Sequence, residues 1–66
     1  MDFSIEQLLQ IIVIDASDLI DVADEIRSDV LNGGTISDED IEYLRDKLAI
    51  CFSNVDKIQY KKLHGE

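Results

Sequence analysis

The residues of this 66-residue chain with the greatest potential for chemistry are its carboxylates. The sequence has 15 Asp and Glu against 6 Lys and Arg, a formal net charge of −9. A calcium loop needs alternating oxygen ligands, a central glycine and a distal glutamate within about twelve residues. Neither Asp38–Asp40 nor the region from Asp15 to Asp24 has that frame. A di-metal carboxylate site needs Glu-x-x-His motifs, which the sequence lacks, so we predict no metal site.

The other reactive side chains are a single histidine and a single cysteine. His64 is third from the end of the sequence, where a turn frays, whereas a general base needs an oriented partner and a pocket. Cys51 falls on an apolar heptad line, whereas a reactive thiol needs an electropositive, partly exposed site. We therefore predict that the protein is not an enzyme and uses no cofactor. A lone cysteine also favours a reducing, cytoplasmic setting.

Two groups of acids predict a binding surface. An antiparallel hairpin would place both groups towards its loop end. The first group comprises Asp15, Asp18, Asp21, Asp24, Glu25 and Asp29, and the second comprises Asp38, Glu39, Asp40 and Glu42. Such a field steers a basic partner and raises its association rate. The alternative is a solvated helix face that keeps the protein soluble.

An apolar heptad line predicts the helix that carries the first group of acids. Its members recur every three or four residues: Ile5, Leu9, Ile12, Ala16, Leu19, Ala23, Ile26 and Val30. Ser4 and Gln7 form a capping-box pair at its start, and we predict one helix over about residues 4–31. The β-branched run Ile11–Ile14 favours a strand, and Asp15–Ser17 resembles a second cap. A kink near Asp15–Ser17 is therefore left open.

A second heptad line predicts a second helix after a short turn. Its members are Ile41, Leu44, Leu48, Cys51, Val55 and Ile58. Asn32-Gly33-Gly34 ends the first helix because Asn and Gly tolerate the left-handed conformation of a C-cap. Ser37 caps the second helix, which we predict over about residues 37–63. The predicted fold class is all-α, an antiparallel helical hairpin that forms one domain over residues 1–66.

Apolar residues beside the first heptad line exceed what one hairpin can bury. They leave the N-terminal half of the first helix apolar nearly all round, and such a helix is buried on all sides. The candidate apolar partner-binding residues are Ile11, Val13, Ile14 and Ile20. The sequence predicts a second chain, most simply a homodimer that forms a four-helix bundle. The alternative is a monomer whose Ile11–Ile14 patch binds a different protein.

Charge and length narrow the choice of partner. The excess of acids disfavours direct nucleic-acid binding, which needs clustered Lys and Arg. No apolar run approaches the ~20 residues that span a bilayer, so we expect no membrane partner. We expect a protein-binding module, an acidic inhibitor or regulator that occludes a basic surface of a partner protein. The alternatives are an assembly subunit or chaperone that completes a helical bundle, and an RNA-binding hairpin dimer.

In size, charge and architecture, the chain resembles the small acidic proteins that phages make to block host defence or host enzymes, some of which imitate DNA. That resemblance implies occlusion of a cationic groove. The outline of a short dimeric hairpin also looks like the plasmid copy-control proteins that bind paired RNA loops. Those proteins need a basic face, which only the stretch from Lys57 to His64 could supply.

Overall fold

The structure is a computed structural model that describes residues 3–65. This part of the chain forms two α-helices joined by a short connection. Helix α1 runs over Ile5–Leu31 and helix α2 over Asp38–His64. The predicted all-α hairpin is confirmed, and both helices lie within one residue of their predicted bounds. α1 passes through Asp15–Ser17 without interruption, so the β-branched run does not divide it.

Reciprocal side-chain bonds explain where each helix begins. The Ser4 N–H donates to Gln7 Oε1 at 2.8 Å, and the Gln7 N–H donates to the Ser4 hydroxyl at 3.1 Å. At the start of α2, the Asp40 N–H donates to the Ser37 hydroxyl at 3.1 Å, and the Ser37 N–H donates to the Asp40 carboxylate at 3.4 Å. These capping boxes satisfy backbone donors that have no partner inside the helix.

The end of α1 depends on two glycines. The Gly34 N–H donates to the Asp29 carbonyl at 2.8 Å and the Gly33 N–H donates to the Val30 carbonyl at 3.1 Å, the two bonds of a Schellman motif. Gly33 has φ +92°, a conformation that a side chain makes costly. A Cβ on Gly34 would lie 2.9 Å from the Asp29 carbonyl oxygen. The turn that reverses the chain therefore requires both glycines.

The line along which the two helices pack, the hairpin seam, alternates spacings of three and four residues, as in a coiled coil. Its members on α1 are Ile5, Leu8, Ile12, Asp15, Leu19, Val22 and Ile26. Its members on α2 are Asp40, Leu44, Lys47, Cys51, Asn54, Ile58 and Lys61. All of these residues are buried or half-buried, with Ser4, Ile11 and Ala16 half-buried beside them. The antiparallel register is marked by Lys47 of α2, whose ammonium lies 3.4 Å from the Asp15 carboxylate of α1.

Half of each predicted heptad line is wrong. The rows containing Ile12 and Cys51 do pack in the seam, but the rows beside them do not. The predicted members that are exposed instead are Leu9, Ala23, Val30, Ile41, Leu48 and Val55. The hairpin uses the opposite flank of each helix, where Leu8 is buried and Lys47 pairs with Asp15. The pairing of opposite charges lets this flank pack although it is less apolar than the one left outside.

The core of the hairpin is thin. Among the described residues, Leu8 is the one buried hydrophobic side chain, at 1% exposure, and Asn54 is the one buried polar residue. No buried side-chain nitrogen or oxygen in residues 3–65 lacks a hydrogen-bond partner. The hairpin is long and narrow, 50 × 18 × 17 Å. Most of its apolar side chains therefore remain at the surface.

Candidate protein-binding faces

The hairpin seam divides the molecule into two broad sides. In an antiparallel pair of helices, equivalent flanks of the two helices lie on the same side. The Lys47–Asp15 ion pair sets the register between the helices. Helical periodicity then assigns each exposed residue to one side, to the other, or to an outer edge.

One side, which we name the apolar face, carries large exposed hydrophobic side chains from both helices. Its exposed members are Leu9, Val13, Ile20, Ala23 and Val30 of α1 and Ile41, Leu48, Phe52 and Val55 of α2, and the half-buried Ala16 lies at its border with the seam. Phe52 is 72% exposed and Ile20 is 66% exposed. The charged residues of this side within residues 3–65 are Glu6, Asp38, Arg27, Arg45 and Lys62. With two acids against three bases, this side is close to neutral.

The other side, which we name the acidic face, carries a group of exposed carboxylates in the loop half of the hairpin. These are Asp18, Asp21 and Glu25 of α1 and Glu39 and Asp46 of α2. The acids of α1 recur every three or four residues, so they form one row along the helix. Lys47 borders this face but is half-buried and already paired, and Lys57 lies towards the open end of the hairpin. Asp18 contacts Lys47 at 3.4 Å, whereas the other four carboxylates of this face have no ion-pair partner within residues 3–65.

Lys47 lies at the boundary between the seam and the acidic face. Its ammonium donates to Asp15 and Asp18, each at 3.4 Å, and lies 5.7 Å from the centre of the Tyr43 ring. Burial lowers the pKa of Lys47, but the field of Tyr43 and the hydrogen bonds to Asp18 and Asp15 outweigh it, so that pKa is raised above 10.5. This ammonium is therefore charged at neutral pH and committed to the hairpin.

The structure places the ten predicted acids in different surroundings. Four of them lie together on the acidic face: Asp18, Asp21, Glu25 and Glu39. Asp15 and Asp40 are half-buried, the first bound to Lys47 and the second to the cap of α2. The others are dispersed, because Asp24 and Glu42 lie on outer edges, Asp29 lies in the last turn of α1, and Asp38 lies on the apolar side. Asp24 is also paired with Arg27, at 2.8 Å.

The predicted apolar residues divide between the two sides. Val13 and Ile20 lie on the apolar face, whereas Ile11 and Ile14 lie on the side of the acids. Ile14 is 52% exposed, and Ile50 of α2 lies at about the same level on that side. The four residues therefore do not form one patch.

Sequence reasoning missed two parts of these faces. Asp46 belongs to the acidic face, but only the register between the helices shows that it lies beside Asp18. Phe52 belongs to the apolar face, together with Leu48 and Val55, which the heptad pattern assigns to the seam. The signal that could have found them is the seam polarity, because Lys47 and Asn54 repeat at heptad spacing on α2.

A basic cleft lies at the open end of the hairpin, away from the loop. It is lined by Phe3, Leu8, Lys57, Tyr60, Lys61, His64 and Gly65. The Tyr60 and His64 rings contact each other with their centres 4.1 Å apart and their planes tilted by 34°. The cleft brings together Lys57, Lys61 and His64, and it is the place where the RNA-binding alternative would have to act.

Comparison of the chain with protein-family models, with curated proteins and with solved structures finds no match. Within residues 3–65, no three His, Cys, Asp or Glu side chains lie together in a group that could hold a metal ion. In the same range, neither helix is long and apolar enough to cross a membrane. The function is therefore inferred from the two faces.

Proposed function

We propose that this chain is a non-enzymatic protein-binding module, an inhibitor or regulator that works as a homodimer and occludes a basic surface of a partner protein. The observation that supports this proposal is the segregation of charge between the two sides of the hairpin. Five exposed acids lie on the acidic face, whereas the apolar face is close to neutral. A helix surface that serves only for solubility usually mixes both signs.

The acidic face has the dimensions of a groove-filling surface. Its row on α1 spans Asp18 to Glu25, seven residues or about 10 Å at 1.5 Å per residue. Glu39 and Asp46 form a second row of the same span on α2. Two parallel rows of carboxylates match a groove lined by Lys and Arg, including one that holds a nucleic-acid backbone. Their field would speed association with such a partner.

Apolar side chains on the same side supply anchors. Ile14 and Ile50 are both about half exposed, and they lie next to the acidic rows towards the middle of the hairpin. Buried apolar anchors contribute most of the affinity at protein interfaces, whereas surrounding charges contribute mainly rate and specificity. The proposed partner surface is therefore a basic rim beside an apolar pocket.

A matched pair of charge-reversal variants tests the proposal. The test variant combines Asp21→Lys with Glu25→Lys on the acidic face. The control combines Glu42→Lys with Asp56→Lys on the outer edges, and it changes the net charge by the same amount. Affinity capture from cells of the native host, read by mass spectrometry, should recover a basic protein with the wild type and the control, but not with the test variant.

Kinetics with the captured partner complete the test. We expect the test variant to associate more slowly and its association rate to depend less steeply on salt than that of the wild type. Equal capture by the test variant and the control would contradict a specific role for the acidic face.

A second candidate function is a subunit that completes a helical bundle of a larger assembly. The exposed apolar face favours it, because such a subunit needs a broad apolar surface for its partner. The two functions differ in their response to salt. A bundle subunit would bind its assembly equally well in low and high salt, and both charge-reversal variants would leave that binding unchanged.

A further inference from the structure

The hairpin by itself buries little apolar surface within residues 3–65. A chain of this size already buries only about 60% of its unfolded surface, and domains near the lower size limit depend on staples or partners. Here, one hydrophobic side chain is fully buried among residues 3–65, and part of the seam is made of Asp15, Lys47 and Asn54. Eight large hydrophobic residues of the apolar face stay at least 38% exposed. Covering that face would complete the core.

The whole side of the hairpin that carries the apolar face is large enough for a stable interface. The hairpin is 50 Å long and 18 Å wide, so 50 Å × 18 Å gives an outline of roughly 900 Å². A standard protein–protein interface buries about 800 Å² on each partner. The rows that contain Leu9 and Leu48 also keep the seven-residue repeat needed for knobs-into-holes packing against further helices.

The distribution of charge on the hairpin favours a second copy of the chain as the partner of the apolar face. Two copies with a net charge of −9 each repel one another, so they can share only a side that carries few acids. The acidic face fails this condition, whereas the apolar face meets it. The apolar side also carries an acid and a base towards each end of the hairpin. These are Glu6 and Lys62 at the open end and Asp38 and Arg27 at the loop end.

Two-fold symmetry makes these end charges complementary. An axis along the hairpin brings α1 over α2 of a second copy, with loop end against loop end, so that Arg27 faces Asp38. An axis across the hairpin brings α1 over α1 of the second copy, so that Arg27 faces Glu6. Each closed arrangement thus sets bases against acids.

We propose that the apolar face binds a second copy of this chain and that the two hairpins form a four-helix bundle. The inference rests on the homodimer of the proposed function and assigns its interface to Leu9, Val13, Ile20, Leu48, Phe52 and Val55. In this bundle the acidic faces point outwards on opposite sides, free to bind a basic partner. Ile11 and Ile14 lie outside the dimer interface.

Matched glutamate variants test the assignment by size-exclusion chromatography with light scattering at micromolar concentration. The test variant is Leu48→Glu with Val55→Glu on the apolar face. The control is Ile14→Glu with Ile50→Glu on the other side, where the replaced side chains are about equally exposed. We expect twice the 7.5 kDa chain mass for the wild type and the control. The test variant should be monomeric, with a dissociation constant raised at least about 100-fold by burial of unpaired carboxylates.

A photo-crosslinker decides the case in which the test variant fails to fold. Benzoylphenylalanine at position 52 keeps the phenyl ring of Phe52, adds a benzoyl group to it and should give a covalent dimer on illumination. The same group at position 14 should give none. A covalent dimer formed from position 14 and not from position 52 would overturn the assigned interface.

The other outcomes separate this inference from the proposed function. If the test variant remained dimeric while the control became monomeric, the assigned face would be wrong, but the homodimer itself would still be supported. A wild type that stays at 7.5 kDa up to about 100 µM, a concentration far above the nanomolar to micromolar Kd of specific interfaces, would overturn the dimer altogether. Binding to a basic partner would still be judged separately, by the Asp21 and Glu25 variant.

Discussion

The apolar face and the acidic face are built on the same two helices, yet they need opposite surroundings. Around Leu48 and Phe52, large hydrophobic side chains lie open on a side with nearly balanced charge. Around Asp21 and Glu25, carboxylates repel one another, and neither side chain is paired with a base of residues 3–65. Covering the first surface is favourable because it removes apolar side chains from water, whereas the second surface is stabilised by contact with cations. The two surfaces lie on opposite sides of the hairpin because of the flank of each helix that packs in the seam.

The polar residues of the seam explain how that separation is kept. Asp15 and Lys47 pair across the helices at 3.4 Å, and Asn54 is buried one heptad further along α2. A charged pair of this kind is weak evidence for stability, but it can specify register. Turning the helices to bury Leu9 and Leu48 in the seam would separate this pair. The polar seam therefore favours the arrangement in which the apolar face points outwards.

The largest effect should come from the buried end of the seam. Leu8→Ala should lower the free energy of unfolding by about 3 kcal/mol, because it leaves a cavity at the one hydrophobic side chain fully buried within residues 3–65. Ile14→Ala removes a half-exposed side chain from the acidic side and should cost less than about 1 kcal/mol. Urea titrations followed by circular dichroism measure both. Equal losses would show that the seam does not run through Leu8.

The turn that aligns the two faces should respond next. Gly33→Ala should cost about 1–2 kcal/mol, because φ at Gly33 is +92° and L residues avoid that region. The matched control is D-alanine at position 33, introduced by chemical synthesis, which adds the same methyl group without the penalty. Thermal unfolding of both chains gives the comparison. A D-alanine chain as unstable as the L-alanine chain would mean that space, and not backbone conformation, limits this position.

The sequence predicts the bounds of the helices but not which residues pack in the seam. Helix bounds follow from local chemistry: Ser4 and Ser37 start the helices, and the two glycines after Asn32 end the first one. These signals act within four or five residues, so they can be identified in a single sequence. The choice between Leu8 and Leu9 as the seam residue is different, because both are leucine and each fits a heptad line.

The faces were less predictable because they depend on contacts between residues far apart in sequence. Asp18 and Asp21 were predicted from helix periodicity and do lie together. Asp46 joins them only through the register fixed by Lys47 and Asp15, 32 residues apart. The heptad rule also assigns apolar residues to the inside, so it predicts Leu48 in the seam and does not predict the apolar face. Long-range pairing of polar residues is what periodicity alone cannot supply.

The boundary between the seam and the acidic face gives a pH-dependent prediction. The pKa of Lys47 is raised in the folded chain, so the pairing of its ammonium stabilises the fold fully at pH values below the pKa of Lys47 in the unfolded chain. This contribution is lost as the pH rises through the pKa of Lys47 in the folded chain. Lys47→Met should therefore be less stable than the wild type at pH 7, and the difference should shrink above about pH 10.5. Urea midpoints from pH 7 to 12 would show this convergence. Lys62→Met, on the opposite side, is the control and should not converge with the wild type in this way.

The smallest effect should come from within the acidic face, where binding and stability oppose one another. Asp21 and Glu25 are like charges four residues apart on α1, a spacing that destabilises a helix by about 0.2–0.5 kcal/mol. Glu25→Lys places a base four residues after Asp21, so it should raise the free energy of unfolding by roughly 0.5–1 kcal/mol in low salt. In 1 M salt the Debye length falls to about 3 Å, and most of that gain should disappear. Glu25→Gln, which removes the repulsion without adding an attraction, should give about half the gain. If Glu25→Lys still raised the free energy of unfolding in high salt, the effect would come from packing. A salt-sensitive increase together with loss of partner capture would show that the carboxylate row supports binding at a cost in stability.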